Sequence, residues 1–347
     1  MALSRIGSIK FGLALLAGAA VMTQASVAQS QSSGFQQYLD SVRTKALAEG
    51  VSQATLNRAL SSINYNDRVV RLDRSQPETQ PNKPIPDFAP YKRTHVNPDR
   101  IRRGQDKYKA LRPMLERIER ETGVPEEIMI AIYGHETNYG AYTGNFNAPE
   151  ALASLAYEGR RRDLFEAELI AVLKMIDRGV PQYAITGSWA GALGKPQFLP
   201  SVYLRLAKDG DGDGYADIWN SEVDAMTSIA NYFVNSGWRR DQVWGFAVDV
   251  PGNLNRQAIA SKITSPRCER VFARHSQYKT VAEWKRLGIV PQQGYWPSDD
   301  MLAALIEPDG VGKTAYLLGS NYRVILDYNC SNFYALSVGL LADEIRQ

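Results

Sequence analysis

The chain has little histidine and cysteine and no long apolar run beyond its N-terminus. The chain has 3 His and 2 Cys in 347 residues. Few residues are therefore available for a histidine-based triad or a zinc site. No later apolar run approaches the roughly 20 residues of a membrane span. The 40 basic residues are nearly balanced by 37 acidic ones, which disfavours a nucleic-acid partner. The 44% hydrophobic content excludes a disordered protein, and the length suggests about two domains.

Residues 1–28 have the pattern of a secretory signal peptide. Arg5 and Lys10 precede a short apolar region from Phe11 to Met22, and a small-residue cleavage site ends at Ala28. We therefore expect export to the periplasm. The absence of a nearby cysteine argues against a lipid anchor. The predicted mature chain is nearly neutral, so bulk charge would not drive it to its target.

Hydrophobic periodicity predicts an α+β fold that is mainly helical. Phe35 to Leu60 has apolar residues at helical spacing, and Trp244–Val250 and Tyr322–Leu326 are predicted as short strands before a last helix at Ala335–Ile345. Further helices are predicted at Asp99–Thr122, Pro125–Asn138, Ala151–Arg178 and Val223–Ser236.

The most informative segment runs from Gly123 to Gly140, with the sequence GVPEEIMIAIYGHETNYG. Pro125 suits the first helical position, and Glu126 and Glu127 suit the positive end of the helix dipole. Gly140 suits a left-handed cap at the C-terminus. The segment therefore predicts one helix with clear ends.

Glu136 falls on an apolar face of this helix, with Met129 and Tyr133. Desolvation and the negative end of the dipole both disfavour a carboxylate there, so we expect a raised pKa. A Glu that stays protonated near neutral pH can act as general acid on a glycosidic oxygen. A partly exposed Glu that caps its helix is the alternative. Gly134 and Gly140 favour the acid, because small residues would let a substrate approach the backbone closely.

Residues 134–140 (GHETNYG) resemble the catalytic helix end of the B-type lytic murein transglycosylases, a branch of the lysozyme-like superfamily. Several blocks in a fixed order are far more specific than one block alone. The further blocks that are similar to this family are residues 160–162 (RRR), 187–203 (GSWAGALGKPQFLPSVY), 230–233 (ANYF) and 328–334 (YNCSNFY).

The resemblance implies a lysozyme-like catalytic core with additional segments around a substrate cleft. We expect the core at 97–245, after a helical and Pro-rich N-terminal segment at 29–96. A small mixed lobe that contains β-strands, at 246–347, would complete the cleft.

The resemblance also implies roles for residues outside the catalytic helix. Ser188 and Gln197 would line the cleft beside Glu136, and Tyr232 would position the acetamido group of the substrate. Ordinary loop and core packing are the alternatives for these residues. Arg161 and Arg162 could pair with carboxylates of the peptide stems, or they could form a solvated basic helix face. The residues implied to shape the cleavage site are Tyr328, Asn329 and Tyr334.

The run from Lys208 to Trp219 (KDGDGDGYADIW) has the spacing of a calcium-binding loop. Asp209, Asp211 and Asp213 fall at loop positions 1, 3 and 5, and the Tyr215 carbonyl falls at position 7. Position 12 is Asn220, where a bidentate Glu would be typical. A metal-free acidic loop is the alternative.

The resemblance implies Asp224 as a further calcium ligand, because in some family members an Asp after the loop completes the coordination shell. Calcium at such a place would be structural, and the chemistry would need no cofactor.

Cys268 and Cys330 would lie in an oxidising compartment, where a disulfide is permitted. The sequence alone leaves this pairing and two separate buried thiols as alternatives.

The reaction that the resemblance implies uses a single acid. Ordinary glycosidases need two carboxylates across the scissile bond, and the matched blocks contain no obvious second acid. Glu136 would cleave the bond between N-acetylmuramic acid and N-acetylglucosamine in peptidoglycan strands without water. A hydrolytic muramidase and a non-catalytic protein that binds peptidoglycan on the same fold are the alternatives. No protein partner is indicated.

Overall fold

The computed structural model describes residues 33–76, 84–263 and 268–347. The predicted signal peptide at 1–28 lies outside the described residues. Within the described part of the chain, none of the helices combines the length and apolarity that crossing a membrane would require.

The chain forms two compact units. The first contains residues up to Ser75 and Asn147–Ile185, and the second contains Gln76–Phe146 and Thr186–Gln347. These limits do not coincide with the expected boundaries at 96/97 and 245/246, because a helical stretch from the middle of the chain packs with the N-terminal helices.

Fourteen helices and seven strands are numbered in chain order within the described residues. The strands are β1 Phe146–Asn147, β2 Thr186–Gly187, β3 Gly245–Asp249, β4 Lys279–Thr280, β5 Val290–Pro291, β6 Leu302–Ile306 and β7 Tyr316–Leu318. The helices are α1 33–48, α2 Gln53–Leu60, α3 Asp67–Arg74, α4 Phe88–His95, α5 Pro98–Thr122, α6 Glu126–Thr137, α7 Ala148–Glu158, α8 Arg162–Asp177, α9 Pro200–Leu206, α10 Glu222–Asn235, α11 Glu269–Phe272, α12 Val281–Arg286, α13 Ser320–Tyr328 and α14 Asn332–Arg346.

The first unit consists of α1, α2, α3, α7 and α8, with a short 3-10 helix at Gln182–Ala184. Two predicted continuous helices are each divided in two. Gly50 adopts φ +88° between α1 and α2, and Gly159 adopts φ +97° between α7 and α8. Only glycine enters this left-handed region without a steric cost. The apolar period continues across each break, which is why periodicity alone did not reveal the breaks.

Helices α5, α6, α10 and α14 pack around one apolar core in the second unit. Helix α6 lies at its centre, and its residues Ile128 to Gly134 are all buried. Helix α14 confirms the predicted last helix and contacts both α5 and α6. A helix that is apolar on every side needs neighbours on every side, so α6 is fixed by its surroundings.

An antiparallel sheet with the strand order β4-β6-β7-β3-β5 completes this unit. Leu317 on β7 is paired with Phe246 on β3 and with Leu305 on β6. Trp284 is fully buried in the adjoining core, where its Nε1 donates to the Ala303 carbonyl at 3.0 Å. The mainly helical α+β class and the predicted strand at β3 are thus confirmed.

The predicted strand at Tyr322–Leu326 is wrong, because this segment forms part of α13. Tyr322, Ile325 and Leu326 are fully buried, and their spacing of three and four suits one face of a helix. The buried Asn321 side chain fixes the first turn by donating to the carbonyls of Arg239 and Gln242 at 2.8 and 2.7 Å. These tertiary contacts override the β-propensity of the segment.

Cys268 and Cys330 form a disulfide in the second unit, with a Cα–Cα distance of 5.4 Å. This bond settles the alternative that the sequence left open. It joins the start of α11 to the short connection between α13 and α14.

Replacing both cysteines by serine should lower the free energy of unfolding by about 4 kcal/mol, because the bond closes a loop across 62 positions. Urea denaturation under oxidising conditions measures the loss. The native chain with reductant is the matched control and should lose a similar amount. Equal stability of the oxidised native chain and the double variant would contradict the prediction.

Candidate active site

Helix α6 presents Glu136 one residue before its C-terminal end. Pro125 is the N-cap with ψ 143°, one position earlier than predicted, and Glu126 and Glu127 occupy the first turn. Met129 and Tyr133 are buried on the face expected from the sequence. The Tyr133 hydroxyl donates to Glu222 at the start of α10 at 2.9 Å. The helix is therefore held along its length before it reaches the acid.

The left-handed cap of α6 is Asn138 with φ 54°, and not Gly140 as predicted. Tyr139 and Gly140 follow with φ 60° and 85°, so three consecutive residues are left-handed. This conformation is energetically unfavourable for residues other than glycine. The Tyr139 hydroxyl donates to the Arg100 carbonyl at 2.8 Å, which helps to hold the turn directly after Glu136.

The two glycines near Glu136 serve packing, and the expectation that they admit substrate is wrong. A Cβ at Gly134 would lie 2.6 Å from the Tyr139 ring. A Cβ at Gly140 would lie 2.3 Å from the Tyr133 hydroxyl. Both glycines are required because tyrosine side chains occupy the space beside them.

The Glu136 carboxyl group is half-buried and has one hydrogen-bond donor beside it. Burial raises the pKa of Glu136 to about 7, and a hydrogen bond from the Tyr334 hydroxyl acts in the opposite direction. That hydroxyl lies 2.6 Å from Oε1. His135 adds no charge, because burial lowers its pKa to about 3. The raised pKa of Glu136 agrees with the direction predicted from the sequence.

An aromatic cluster from three parts of the second unit extends from this acid. The charge of Glu136 raises the pKa of Tyr328 and Tyr334, after the larger effect of burial. Tyr328 lies 4.7 Å from Tyr232 and 6.1 Å from Phe198, measured between ring centroids. The structure thus brings together the three tyrosines that the resemblance named.

Hydrogen bonds hold these tyrosines to the backbone. The Tyr232 hydroxyl donates to the Asp327 carbonyl at 2.6 Å, and the Tyr328 hydroxyl donates to the Pro196 carbonyl at 2.6 Å. Asn329 is exposed and caps the C-terminus of α13. The cluster therefore joins the loop before α9 to the end of α13.

Ser188 and Gln197 use their side chains to shape this loop. Ser188 Oγ accepts the Ala192 N–H at 3.0 Å. Gln197 has φ 51° and donates its Nε2 to the carbonyls of Thr143 and Gly194 at 3.1 and 2.9 Å. The amide oxygen of Gln197 forms no hydrogen bond within the described residues and so remains an acceptor.

Arg161 and Arg162 lie in the first unit, whereas Glu136 lies in the second. Arg161 and its neighbour Arg160 both pair with the buried Asp73, at 2.6 and 2.9 Å. Arg162 donates to the Tyr157 carbonyl at 3.1 Å. The guanidinium groups remain partly exposed, but each already has an internal acceptor.

The acidic loop brings three predicted metal ligands together. Carboxylate oxygens of Asp209, Asp211 and Asp213 lie within 4.8 Å of one another. Gly214 has φ 95° and provides the sharp turn expected at loop position 6. Asp224 does not belong to this group: it is fully buried, and its two oxygens accept the N–H groups of Gly210 and Asp217 at 2.7 Å each.

Sequence reasoning missed Tyr91, Phe198 and Ser337 near the acid. The charge of Glu136 raises the pKa of Tyr91, whose main perturbation is burial. Ser337 Oγ lies 2.7 Å from Nε2 of His135 and donates to the Tyr334 carbonyl at 2.8 Å. Phe198 lies inside the recognised block GKPQF and could have been found there, but Tyr91 and Ser337 carry no comparable signal.

Glu136→Gln should stabilise the protein above about pH 7 and leave its stability unchanged below pH 4.5, the ordinary pKa of Glu. Between these values the unfolded chain loses the Glu136 proton while the folded chain keeps it, so the native chain loses stability as the pH rises. The gain should reach up to about 3 kcal/mol. Urea titrations at pH 4 and pH 8 measure this gain, with the exposed Glu121→Gln as control. The prediction would be refuted if the difference in free energy of unfolding between Glu136→Gln and the native chain were the same at both pH values.

Comparison with known families and proteins gives the family of this chain. The transglycosylase SLT domain family matches residues 34–343. Membrane-bound lytic murein transglycosylase B of Escherichia coli (strain K12) is 31% identical over 318 residues, which cover 89% of this chain and 82% of that protein.

Solved structures of such enzymes have the same fold. SltB3 from Pseudomonas aeruginosa, in complex with NAG-anhNAM-pentapeptide, is 38% identical with a TM-score of 0.80 over 90% of this chain and 79% of its own. The Escherichia coli lytic transglycosylase Slt35, in complex with calcium, is 28% identical with a TM-score of 0.69 over 90% of this chain and 92% of its own. The chain therefore belongs to the transglycosylase SLT domain family and is a lytic transglycosylase of the B type.

Proposed function

We propose that this enzyme cleaves the β-1,4 bond between N-acetylmuramic acid and N-acetylglucosamine in peptidoglycan without water. The observation that carries the proposal is the desolvated Glu136, whose pKa of about 7 keeps a large protonated fraction at neutral pH. The SltB3 complexes with NAG-anhNAM-pentapeptide and NAG-NAM-pentapeptide support this substrate class.

In the first step Glu136 donates its proton to the glycosidic oxygen. The bond from that oxygen to C1 of the muramoyl residue breaks, and the N-acetylglucosamine part leaves with a new hydroxyl group. The electron-poor C1 would be stabilised by the acetamido group of the substrate itself. Tyr334 acts as a positioning residue, because its hydroxyl is bound to Oε1 of Glu136.

In the second step the Glu136 carboxylate takes the proton of the muramoyl C6 hydroxyl. The C6 oxygen then attacks C1 and closes a 1,6-anhydro ring, and Glu136 is again protonated. A pKa near neutrality suits both steps, since the same group must be a good acid and then a good base. No water is consumed.

A second carboxylate would favour hydrolysis. Burial and the Tyr334 hydrogen bond shift the pKa of Glu136, and among residues 33–76, 84–263 and 268–347 no charged side chain contributes to that shift. Two-acid glycosidases place their carboxyl groups about 5–9 Å apart, where one charge would perturb the other. The single-acid route is therefore better supported than a muramidase, which is the alternative.

We propose that the aromatic cluster and the neighbouring loop bind the sugar chain. Tyr232, Tyr328 and Tyr334 supply ring surface beside Glu136, and the free amide oxygen of Gln197 can accept an acetamido N–H. Ser188 shapes the loop, and the exposed Asn329 lies at the end of α13. Arg161 and Arg162 are proposed to bind carboxylates of the peptide stems. They would use the guanidinium N–H groups that form no hydrogen bond to Asp73 or to the Tyr157 carbonyl.

Glu136→Gln should reduce the release of soluble muropeptides from purified murein by at least about 10³-fold, because an amide cannot donate or accept the catalytic proton. Mass spectrometry of the digest should find 1,6-anhydromuramoyl ends with the native enzyme. Reducing muramoyl ends would indicate a hydrolase instead.

Two comparisons make this experiment specific. Glu121→Gln, an exposed residue of α5, should retain full activity. Binding of both variants to murein sacculi separates catalysis from binding. If the native enzyme bound sacculi and released nothing, it would be a non-catalytic wall-binding protein.

The proposed place of action is the periplasm. The signal-like pattern at 1–28 and the peptidoglycan substrate both support it. The disulfide between Cys268 and Cys330 is consistent with an oxidising compartment.

We also propose that the acidic loop holds a structural Ca²⁺. Asp209, Asp211, Asp213 and the Tyr215 carbonyl fit this ion, because oxygen ligands at alternating positions suit Ca²⁺. When bound, the ion neutralises the three carboxylates and takes no part in the chemistry. Asp224, originally expected as a ligand, supports the loop through the backbone groups of Gly210 and Asp217.

Calcium at 1 mM should raise the melting temperature by about 3 °C or more, because a ligand that binds the folded state stabilises it. Differential scanning calorimetry with Ca²⁺, Mg²⁺ or chelator measures the shift. Asp211→Asn should abolish the response, whereas Asp106→Asn, an exposed acid on α5, should retain it. The same melting temperature with calcium and with chelator would exclude the site.

A further inference from the structure

His135 lies directly before Glu136 in α6, and its half-buried ring reaches helix α14. Its Nε2 lies 2.7 Å from Oγ of Ser337, which is fully buried in α14. Its Nδ1 lies 3.0 Å from the carbonyl oxygen of Ala131, one turn earlier in α6. His135 therefore links the helix that carries the acid to a second helix through a hydrogen bond between side chains.

The contacts of His135 lead to Tyr334, the residue whose hydroxyl donates to Glu136. Ser337 Oγ lies 2.8 Å from the Tyr334 carbonyl oxygen, one turn earlier in α14. The His135 ring also packs edge-on against the Tyr334 ring, with centroids 5.4 Å apart and an interplanar angle of 74°. Such edge-to-face pairs are favourable. His135 thus contacts Tyr334 directly through its ring and indirectly through Ser337.

The partners of the two ring nitrogens assign the proton of the neutral imidazole. Burial lowers the pKa of His135 to about 3, against the hydrogen bond to the Ala131 carbonyl, so the ring is uncharged at neutral pH. A carbonyl oxygen can only accept a hydrogen bond, which places the proton on Nδ1. Nε2 is then an acceptor, and Ser337 is its donor. The Ser337 hydroxyl faces two acceptors, Nε2 and the Tyr334 carbonyl oxygen, and shares its proton between them.

Helix α4 also packs against the His135 ring. His95 stacks on it with centroids 6.0 Å apart and an interplanar angle of 22°. Both ring nitrogens have hydrogen-bond partners, and rings from α4 and α14 contact the imidazole, so His135 is held in one orientation. A side chain that is locked by packing and hydrogen bonds can keep its neighbours in place.

We propose that His135 is a positioning residue for the acid, which acts by holding Tyr334 so that its hydroxyl reaches Oε1 of Glu136. The inference rests on the proposed function, because it assigns His135 a role in the reaction of Glu136. Loss of the His135 contacts would let Tyr334 move away from the carboxyl group. A displacement of about 1 Å at a reacting group can cost up to about 10²-fold in rate. A residue that only fills space would be replaced well by another ring of similar size.

The experiment uses the full mature chain with substitutions at two positions. His135→Phe keeps an aromatic ring and removes both hydrogen bonds, and Ser337→Ala removes the hydroxyl group. His135→Gln is the conservative variant, because its amide oxygen can accept from Ser337 near the position of Nε2. Trp284→Phe is the matched control, since it keeps a ring and removes a buried hydrogen bond to the Ala303 carbonyl in the separate core of the sheet.

The release of 1,6-anhydromuramoyl ends from solubilised glycan strands gives kcat and KM. His135→Phe and Ser337→Ala should each lower kcat about tenfold and leave KM within about twofold. The double variant should lose about as much as His135→Phe alone, because both residues act through one contact. His135→Gln should stay within about threefold of the native kcat, and Trp284→Phe should keep the native kcat below its melting temperature.

The pH profile is a readout that a packing role would not change. The hydrogen bond from Tyr334 lowers the pKa of Glu136 against the larger effect of burial, so a displaced Tyr334 should raise this pKa further. The first step needs protonated Glu136, and activity is therefore lost as the pH rises through its pKa. The alkaline limb of kcat/KM should move to higher pH by about 0.5 in His135→Phe and Ser337→Ala.

Other titratable groups around this site are the same in all variants. Tyr91 of α4 and Tyr328 of α13 also face Glu136, and burial raises the pKa of both. Arg100 of α5 and His95 of α4 face the His135 ring and favour its neutral form. A movement of the alkaline limb therefore reports on Glu136.

Thermal melts verify that each variant is folded, and Ser337→Ala, which removes a single oxygen atom, keeps the test available if His135→Phe does not fold. Native kcat in the folded variants, an unmoved alkaline limb, or equal losses in His135→Gln and His135→Phe would overturn this inference alone, provided that Glu136→Gln is inactive. An active Glu136→Gln would refute the proposed function and this inference with it.

Discussion

The proposed chemistry of this enzyme depends on shielding one carboxyl group from most of the surrounding water. An exposed Glu is almost fully ionised at neutral pH and cannot act as an acid. Burial raises the pKa of Glu136 to about 7, and the cost of that burial must be met by the rest of the fold. The helix that carries the acid is buried on nearly every side among α5, α10 and α14, so local opening toward solvent would be expensive.

The backbone after Glu136 is equally constrained. Three left-handed residues follow the helix, two of them not glycine, and tyrosine side chains fill the space that Gly134 and Gly140 leave. Strain of this kind persists only where the surroundings over-determine the conformation. Here the hydroxyl of Tyr139 and the packing against Gly134 do so. The acid is thus positioned by its own helix end and by the turn that follows.

Separate parts of the second unit then supply the remaining groups of the candidate site. The donor to Glu136 comes from α14, a ring from the end of α13, another from α10 and one from the loop before α9. Hydrogen bonds from Tyr232 and Tyr328 to backbone carbonyls keep these parts in register. Side chains locked in this way keep a site preorganised. The acidic loop before α10 would contribute to the same rigidity with the proposed Ca²⁺ bound.

The sequence by itself determined the helix that carries the acid, the direction of its pKa shift, the mainly helical class and the spacing of the acidic loop. These features are local, since they follow from periodicity, helix ends and residue spacing over short stretches. Prediction from the sequence failed where contacts with distant residues set the local structure. In α13, Asn321 and the core hold residues of high β-propensity in a helix. The Tyr334–Glu136 contact joins positions 198 residues apart, and the disulfide joins positions 62 residues apart. Only tertiary structure could decide these contacts, because burial and pairing depend on which segments pack together and not on the residues next to each other in the chain.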